Sequence, residues 1–131
     1  MASGKPVTPS DFRFRPHEHL RRPADFKRVY DGRRSASNGF LIVYAAANGL
    51  PYSRVGFSVS RKFGGAVQRN RLRRLYREAY RFSRHEMPVG LDLVLIPRGK
   101  SVPPLTELME ALSKLVNQVA RKPTRATESP L

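Results

Sequence analysis

The sequence predicts a single small α/β domain, an α+β sandwich in which helices pack against one small sheet. The chain has 131 residues, which is about one domain. Three segments carry apolar residues at the helical spacing of three and four, and they alternate with short runs rich in β-branched and aromatic residues. Glycine and proline separate these segments, so we expect short, distinct elements.

The first half of the chain predicts a helix followed by two strands. Pro23 opens the helix, because proline is favoured at an early helical position, and Asp25 places an acid in its first turn. The turn sequence of residues 48–51 separates two strand-like segments, which indicates an antiparallel hairpin. The predicted ranges are 22–32 for the helix and 35–47 and 53–60 for the strands.

The second half predicts a long helix, a strand and a last helix. Gly64-Gly65 breaks the chain before the long helix, which runs from Ala66 to about His85. Residues 91–97 form a short apolar strand, and Pro103-Pro104 introduces the last helix, so the order is αββαβα. The apolar stripes of both helices are predicted to face the core. They consist of Leu72, Leu75, Tyr76, Ala79 and Ser83, and of Leu105, Leu108, Met109, Leu112, Leu115, Val116 and Val119.

Both ends of the chain predict disorder. Residues 1–19 mix Ser, Pro, Lys, Arg and His with little apolar content, which is typical of a disordered basic arm. Residues 122–131 have the composition of a short disordered tail. The folded domain is therefore expected over residues 20–121.

The composition points to a polyanionic partner. Lys and Arg number 25 against 10 Asp and Glu, a net charge of +15, and nucleic acid is the leading candidate. The alternative, an anionic membrane, is disfavoured because the longest apolar stretch, residues 40–47, is far shorter than the roughly 20 residues that span a bilayer. No secretory signal is visible, and the chain has no cysteine, which fits the cytoplasm.

Catalysis by the protein itself is poorly supported. The ten acids are scattered, and no Ser/His/Asp set or metal-ligand spacing is present, so we expect no catalytic residue and no metal site. Gly64-Gly65 resembles a phosphate-cradling loop but lacks the lysine motif of one. The pair is better explained as a tight turn that lets the N-terminus of the following helix approach an RNA phosphate.

The long helix concentrates the positive charge. Residues 54–84 contain ten Lys or Arg and one acid, Glu78. At about 100° per residue, most of the basic residues of the helix fall on one arc, which lies opposite the apolar stripe. Arg69 and Arg71 flank that stripe. The alternative is an ordinary solvated face. Such faces usually alternate in sign along residues four apart, whereas the row of residues 69, 73, 77 and 81 consists of arginines and contains no acid. The arc contains Asn70, Arg73, Arg74, Arg77, Arg81 and Arg84.

Two further readings of these residues stay open. A basic helix can enter a DNA groove, but such helices usually belong to small helical domains or heptad dimers, and neither pattern is present. Aromatic residues on a sheet beside basic residues can stack unpaired bases, although most aromatics in so small a domain belong to the core. Candidates are Phe26, Tyr30, Phe40, Tyr44, Tyr52 and Phe57.

Two consecutive motifs closely resemble those of the bacterial ribonuclease P protein component. Residues 54–62 match R-x-G-[hydrophobic]-S-V-S-[basic]-K, and residues 64–78 match G-x-A-V-x-R-N-R-x-[KR]-R-x-x-R-[EQ] at every position. Residues 20–30 are similar to the first helix of that family, and residues 92–98 to its last strand. The resemblance covers about residues 20–121. Tyr30 stands where phenylalanine is common and Arg61 where lysine is common, which keeps stacking and charge.

The resemblance implies a fold and a task. The fold is a small, mostly antiparallel sheet with αβββαβα-type order, like domain 2 of ribosomal protein S5, with a left-handed βαβ crossover. The task is that of an accessory subunit of an endoribonuclease: the protein joins a catalytic RNA that hydrolyses a phosphodiester of precursor tRNA to remove the 5′ leader, with Mg²⁺ held mainly by the RNA. No protein partner and no membrane are implied. A non-catalytic rRNA-binding protein of similar fold is the alternative.

The resemblance also implies two sets of site residues. One set faces the RNA subunit, and the other holds the single-stranded leader. The residues expected to face the RNA subunit are Arg69, Asn70, Arg71, Arg73, Arg74 and Arg77. The residues expected at the leader are Phe26, Tyr30 and Tyr44, with Arg61 and Lys62 beside them.

Overall fold

A computed structural model describes residues 15–99 and 102–122. The predicted disorder of residues 1–14 and 123–131 lies outside these described residues. The elements are α1 (Pro23–Asp31), β1 (Ser35–Ser37), β2 (Leu41–Ala47), β3 (Arg54–Phe57), α2 (Ala66–Ser83), β4 (Leu91–Pro97) and α3 (Leu105–Ala120). Single 3-10 turns occupy Pro16–Glu18, Arg61–Phe63 and Arg84–Glu86. The αβββαβα-type order is confirmed.

The four strands form one mixed sheet in the order β1-β2-β4-β3. β1 pairs antiparallel with β2, β2 pairs antiparallel with β4, and β3 pairs parallel with β4. The single strand predicted over residues 35–47 is therefore two strands. The break occurs at Asn38, whose Oδ1 accepts hydrogen bonds from the backbone N–H groups of Phe40 and Leu41 at 3.0 and 2.9 Å. Such a side-chain bond stabilises a turn at that point.

The predicted hairpin between residues 35–47 and 53–60 is wrong. β4 lies between β2 and β3, so these two strands are not neighbours. The reason is burial: six of the seven β4 residues are buried, on both faces of the strand. A strand that is apolar on both faces gains most at the centre of a sheet. β3 and β4 are joined through α2, and the left-handed sense of that crossover stays a prediction.

The main core lies between one face of the sheet and the helices α2 and α3. Alternate residues of β2 and β4 point into it, and the apolar stripe of α3 covers them. The core assignment of both helix stripes is confirmed, with Leu75, Leu105 and Met109 only partly buried. Fully buried members are Leu41, Val43, Leu93, Leu95, Leu108, Leu112 and Val116.

Among the described residues, the opposite face of the sheet carries α1, the segment just before it and a smaller apolar cluster. Leu20, Val29, Ala46 and Val94 are its buried members. Partly buried side chains pack around them, so much of this face remains accessible to a ligand. They are Phe26, Tyr30, Tyr44 and Ile96.

The described part of the predicted disordered arm, residues 15–19, has regular structure. Residues 15–19 are ordered: Pro16–Glu18 form a 3-10 turn, and His19 makes a parallel bridge to Val55 on the outer edge of β3. The N–H of Leu20 then donates to the carbonyl of Val55 at 2.9 Å. This segment covers an otherwise unpaired sheet edge, which is a physical reason for its order.

Candidate nucleic-acid interface

α2 begins in a short connection that follows β3. Ser60 caps the turn Arg61–Phe63 by accepting from the N–H of Lys62 at 3.2 Å. Gly64 has a φ of +117°, a conformation that side chains rarely tolerate. The N–H of Gly65 then donates to Oε1 of Gln68 at 3.1 Å, which satisfies one donor at the start of the helix. The two adjacent glycines therefore serve the turn that starts α2.

The inward side of α2 is buried as predicted. It also includes Tyr80, which was not part of the predicted apolar stripe. The hydroxyl of Tyr76 donates to the carbonyl of Phe40 at 3.1 Å and fixes α2 to the β1–β2 turn. Burial raises the pKa of both Tyr76 and Tyr80 to about 12, so both stay neutral at physiological pH. The inward side therefore contributes packing and no charge.

The outward side of α2 presents the predicted basic residues over its first three turns; we call it the basic face. Asn70, Arg71, Arg74 and Arg77 are exposed, and Arg69 and Arg73 are half-buried. The structure thus brings all six residues of the RNA-subunit set onto one helix. Nη1 of Arg73 donates to Oδ1 of Asn70 at 2.9 Å, which orients the guanidinium.

The charges on this face are largely uncompensated. Arg71, Arg74 and Arg77 form no ion pair with another described residue. Nε of Arg69 is buried and has no acceptor within the described chain. A buried N–H without an acceptor costs free energy, and a phosphate oxygen is the kind of acceptor that a guanidinium binds best.

The basic arc is shorter than the sequence predicted. Nη2 of Arg81 donates to both carboxylate oxygens of Glu78 at 3.1 and 3.0 Å, so the row from Arg69 to Arg81 does meet an acid. Nη1 of Arg84 donates to Glu18 at 2.8 Å. The basic face therefore occupies the N-terminal part of α2, and the C-terminal part is neutralised.

A second surface, the aromatic face, lies on the side of the sheet that carries α1. Tyr30 and Tyr44 meet edge to face, with ring centroids 5.1 Å apart and planes at 89°. Both rings, like Phe26, are half-buried. The structure thus brings together the three aromatics predicted at the leader. Their partial exposure leaves ring surface for a ligand to stack on.

Phe26 sits directly over Gly56 of β3. A Cβ built on Gly56 would lie 2.4 Å from Cζ of Phe26 and 3.0 Å from the carbonyl oxygen of Leu20. Any side chain at position 56 would therefore collide with the aromatic face. This contact explains why a strand residue within the R-x-G motif is glycine.

The remaining candidate aromatics lie elsewhere. Phe40 and Phe57 pack against the main core. Tyr52 meets the ring of His17 edge to face, with centroids 4.8 Å apart. Arg61 and Lys62 are exposed in the connection between β3 and α2. Nζ of Lys62 lies 5.4 Å from the ring centroid of Phe63.

Sequence reasoning missed a buried ionic cluster around Asp92. This carboxylate is fully buried and accepts hydrogen bonds from Arg54 at 2.8 and 2.6 Å, from Asn48 at 2.9 Å and from Arg28. Burial would raise the pKa of Asp92, but the bonds from Arg54 and Asn48 and the charges of Arg54 and Arg28 outweigh it and lower the pKa. Arg54 is therefore structural, and its charge does not belong to the basic face. A lone acid at the start of an apolar strand was the available sign.

In the part of the chain that the structure describes, no group of three or more His, Asp or Glu is placed to hold a metal ion. No helix in the same described residues is both long and apolar enough to cross a membrane.

Known proteins are similar to this chain in both sequence and fold. The family model described as Ribonuclease P matches residues 14–120. A ribonuclease P protein component of Clostridioides difficile is 46% identical over 83 residues, covering 63% of this chain and 73% of the relative, and one of Caldanaerobacter subterraneus is 37% identical over 100 residues, covering 76% and 86%.

Solved structures agree with the sequence relatives. The ribonuclease P protein of Thermotoga maritima superposes with a TM-score of 0.70 at 36% identity, covering 77% of this chain and 96% of that one. The protein of Staphylococcus aureus superposes with a TM-score of 0.67 at 28% identity, covering 79% and 95%. The family model, the sequence relatives and the solved structures agree, and the chain belongs to the ribonuclease P protein component family.

Proposed function

We propose that this chain is the protein subunit of a cytoplasmic ribonuclease P. It binds a catalytic RNA through the basic face of α2 and the 5′ leader of precursor tRNA through the aromatic face. The observation that carries the proposal is that the chain presents two different surfaces: exposed arginines without described ion pairs on α2, and the half-buried rings of Phe26, Tyr30 and Tyr44 on the face of the sheet that carries α1. One protein can therefore touch a large RNA and a single strand leaving it at the same time.

The basic face supports contact with a phosphate backbone. Arg71, Arg74 and Arg77 are exposed without described ion pairs, so their mutual repulsion remains in the free protein. An RNA backbone removes that repulsion and releases counterions, which makes the affinity depend on salt. Arginine also binds phosphate through two parallel hydrogen bonds, which fixes orientation as well as charge.

The aromatic face supports contact with an unpaired strand. Base–aromatic stacking contributes about 1–3 kcal/mol per base and tolerates any sequence, as a leader of variable sequence requires. In this proposal Arg61 and Lys62, exposed in the connection that follows β3, supply charge for the backbone of the same strand. The pairing of rings and cations is the usual chemistry of single-strand binding.

Catalysis is assigned to the RNA subunit. In this proposal the RNA holds Mg²⁺, which supplies Lewis-acid stabilisation of the phosphodiester and a metal-bound water for its hydrolysis. The protein contributes positioning and phosphate screening, which lowers the concentration of Mg²⁺ that the RNA needs. None of its side chains takes part in proton transfer.

The test is reconstitution. The purified protein is added to the ribonuclease P RNA of the same genome and to precursor tRNA labelled in its leader, at a Mg²⁺ concentration at which the RNA alone is nearly inactive. We expect release of the intact leader only when protein and RNA are both present. Tight binding to the RNA without any leader release would instead favour a non-catalytic RNA-binding role.

A further inference from the structure

A cavity of about 330 Å³ opens beside the basic face, between α2 and the chain that leads into α3. Its wall is mainly apolar, and Val102 at its edge is 52% exposed although it is a large apolar residue. The apolar wall and the exposed apolar side chain at its edge together make this cavity a candidate ligand site. The cavity is lined by Phe63, Gln68, Arg71, Leu72, Leu75 and Val102.

The lining residues combine two planar groups with one amide. The ring of Phe63 and the guanidinium of Arg71 both belong to groups that stack on nucleobases. Oε1 of Gln68 already accepts from the N–H of Gly65, so the amide orientation is set and its NH₂ has no other partner among the described residues. That NH₂ can donate to an acceptor on the edge of a base.

From these features we propose that the cavity receives one unpaired base of the RNA that the basic face binds. The base turns out of the RNA and enters against Phe63, Leu72 and Leu75, while the phosphate of the same nucleotide lies at Arg71. The inference rests on the proposed function and adds to it a specific contact with one nucleotide. The phosphates position the helix, and the buried base sets its register along the RNA.

Charge decides the choice of occupant. Arg71 stands at the rim of the cavity and is exposed, and Arg74 follows one turn further along the same helix. A second copy of this chain, with its net charge of +15, would bring more cations to this rim, and an apolar peptide would leave Arg71 and Arg74 without a counter-charge. A nucleotide brings a planar apolar group and a negative charge in one unit, which matches both parts of the site.

Photocrosslinking tests the proposal. The chain has no cysteine, so Val102→Cys creates a single attachment point for a photoreactive azidophenacyl group. Val89→Cys is the matched control, because Val89 is also an exposed valine, at 68%, and lies in the turn before β4. Each labelled protein is bound to the ribonuclease P RNA of the same genome and irradiated. We expect the Val102 probe to crosslink to one or two adjacent nucleotides and the Val89 probe to give no such focused product.

The outcomes separate this inference from the proposed function. A diffuse RNA crosslink from Val102, or a crosslink to a second protein copy, overturns the base site while RNA binding by the unlabelled protein still supports the proposed function. Failure of the unlabelled protein to bind the RNA overturns both.

A cavity-filling variant gives a second readout. Val102→Trp is expected to weaken RNA affinity roughly tenfold by excluding the base, while the dependence of affinity on salt keeps its slope because the phosphate contacts remain. Val89→Trp, the control, should leave both quantities unchanged. Unaltered affinity of Val102→Trp for the RNA would contradict the proposal.

Discussion

Cζ of Phe26 occupies the space that a side chain on Gly56 would need: a Cβ added to Gly56 would lie 2.4 Å from it. α1 and β3 therefore approach as closely as a glycine permits, and the aromatic face exists because position 56 carries no side chain. The two residues are 30 positions apart in the sequence, yet the ring of Phe26 restricts position 56 to glycine, and the glycine allows the ring to pack there.

Gly56→Ala should displace the ring of Phe26 and destabilise the fold. Because the added methyl group also meets the backbone of Leu20, we expect a loss of about 1–3 kcal/mol in the free energy of unfolding, measured by urea denaturation. Gly39→Ala is the control, since a Cβ there meets nothing within 4 Å. Equal stability of both variants would mean that the contact at Gly56 relaxes without cost.

Phe26→Ala should weaken binding of precursor tRNA to the holoenzyme without affecting mature tRNA, because only the precursor carries a leader to stack. The expected loss is roughly tenfold in affinity, from a stacking contribution of about 1–3 kcal/mol. Phe82→Ala, which truncates another half-buried phenylalanine on α2, controls for loss of packing. Equal weakening for precursor and mature tRNA would exclude a role in leader binding.

Arg74→Ala should weaken assembly with the RNA subunit and reduce its salt dependence. If the guanidinium contacts one phosphate, the slope of log affinity against log salt falls by about one. Arg121→Ala, an exposed arginine just after α3, is the control. Filter binding over a range of potassium concentrations measures both slopes, and an unchanged slope for Arg74→Ala would place this residue away from the backbone.

Asp92→Asn should destabilise the protein strongly at neutral pH, because it leaves Arg28 and Arg54 without their buried counter-charge. The expected loss is about 3 kcal/mol at pH 7. Glu107→Gln removes an exposed acid that has no described ion pair, and should cost almost nothing.

The pH dependence gives an independent check on Asp92. Its pKa is lowered in the folded protein, so its stabilising contribution is complete above the pKa of the unfolded chain, about 3.9, and is lost as pH falls through the lower folded value. The stability gap between wild type and Asp92→Asn should therefore narrow below about pH 4. A gap that is constant from pH 3 to 7 would show that the charge of Asp92 contributes nothing.

The helices and the basic face were predictable because their evidence is local. Leu72, Tyr76 and Ala79 recur at helical spacing, and the residues opposite them are arginines, so burial and charge separate along one helix. The strand pairing was not predictable in this way. Whether β3 pairs with β2 or with β4 depends on a strand that comes more than 30 residues later, and only the two-sided burial of β4 decides it.

Ion pairs between residues far apart in the sequence were not predictable either. Arg84 and Arg54 look equivalent to Arg77 in the sequence, yet Glu18 binds the first and Asp92 the second, across separations of 66 and 38 residues. Composition counts all such arginines as available to RNA. The motifs, through their family resemblance, selected a smaller set. The structure leaves Asn70, Arg71, Arg74 and Arg77 of that set exposed and Arg69 and Arg73 half-buried, and the roles of the set remain predictions.

The Asp92 cluster also limits when α1 can dock on the sheet during synthesis of the chain, because its members are far apart in the sequence. Arg28 of α1 emerges from the ribosome 64 residues before its partner Asp92, and Val94, which α1 also covers, follows two residues later. A nascent chain that ends before β4 lacks this counter-charge and the part of the apolar surface under α1 that Val94 supplies, although Ala46 of β2 is already present. The arginines of the basic face precede β4 in the sequence, so under the proposed function a growing chain would carry its RNA-binding residues before α1 is fully docked on the sheet.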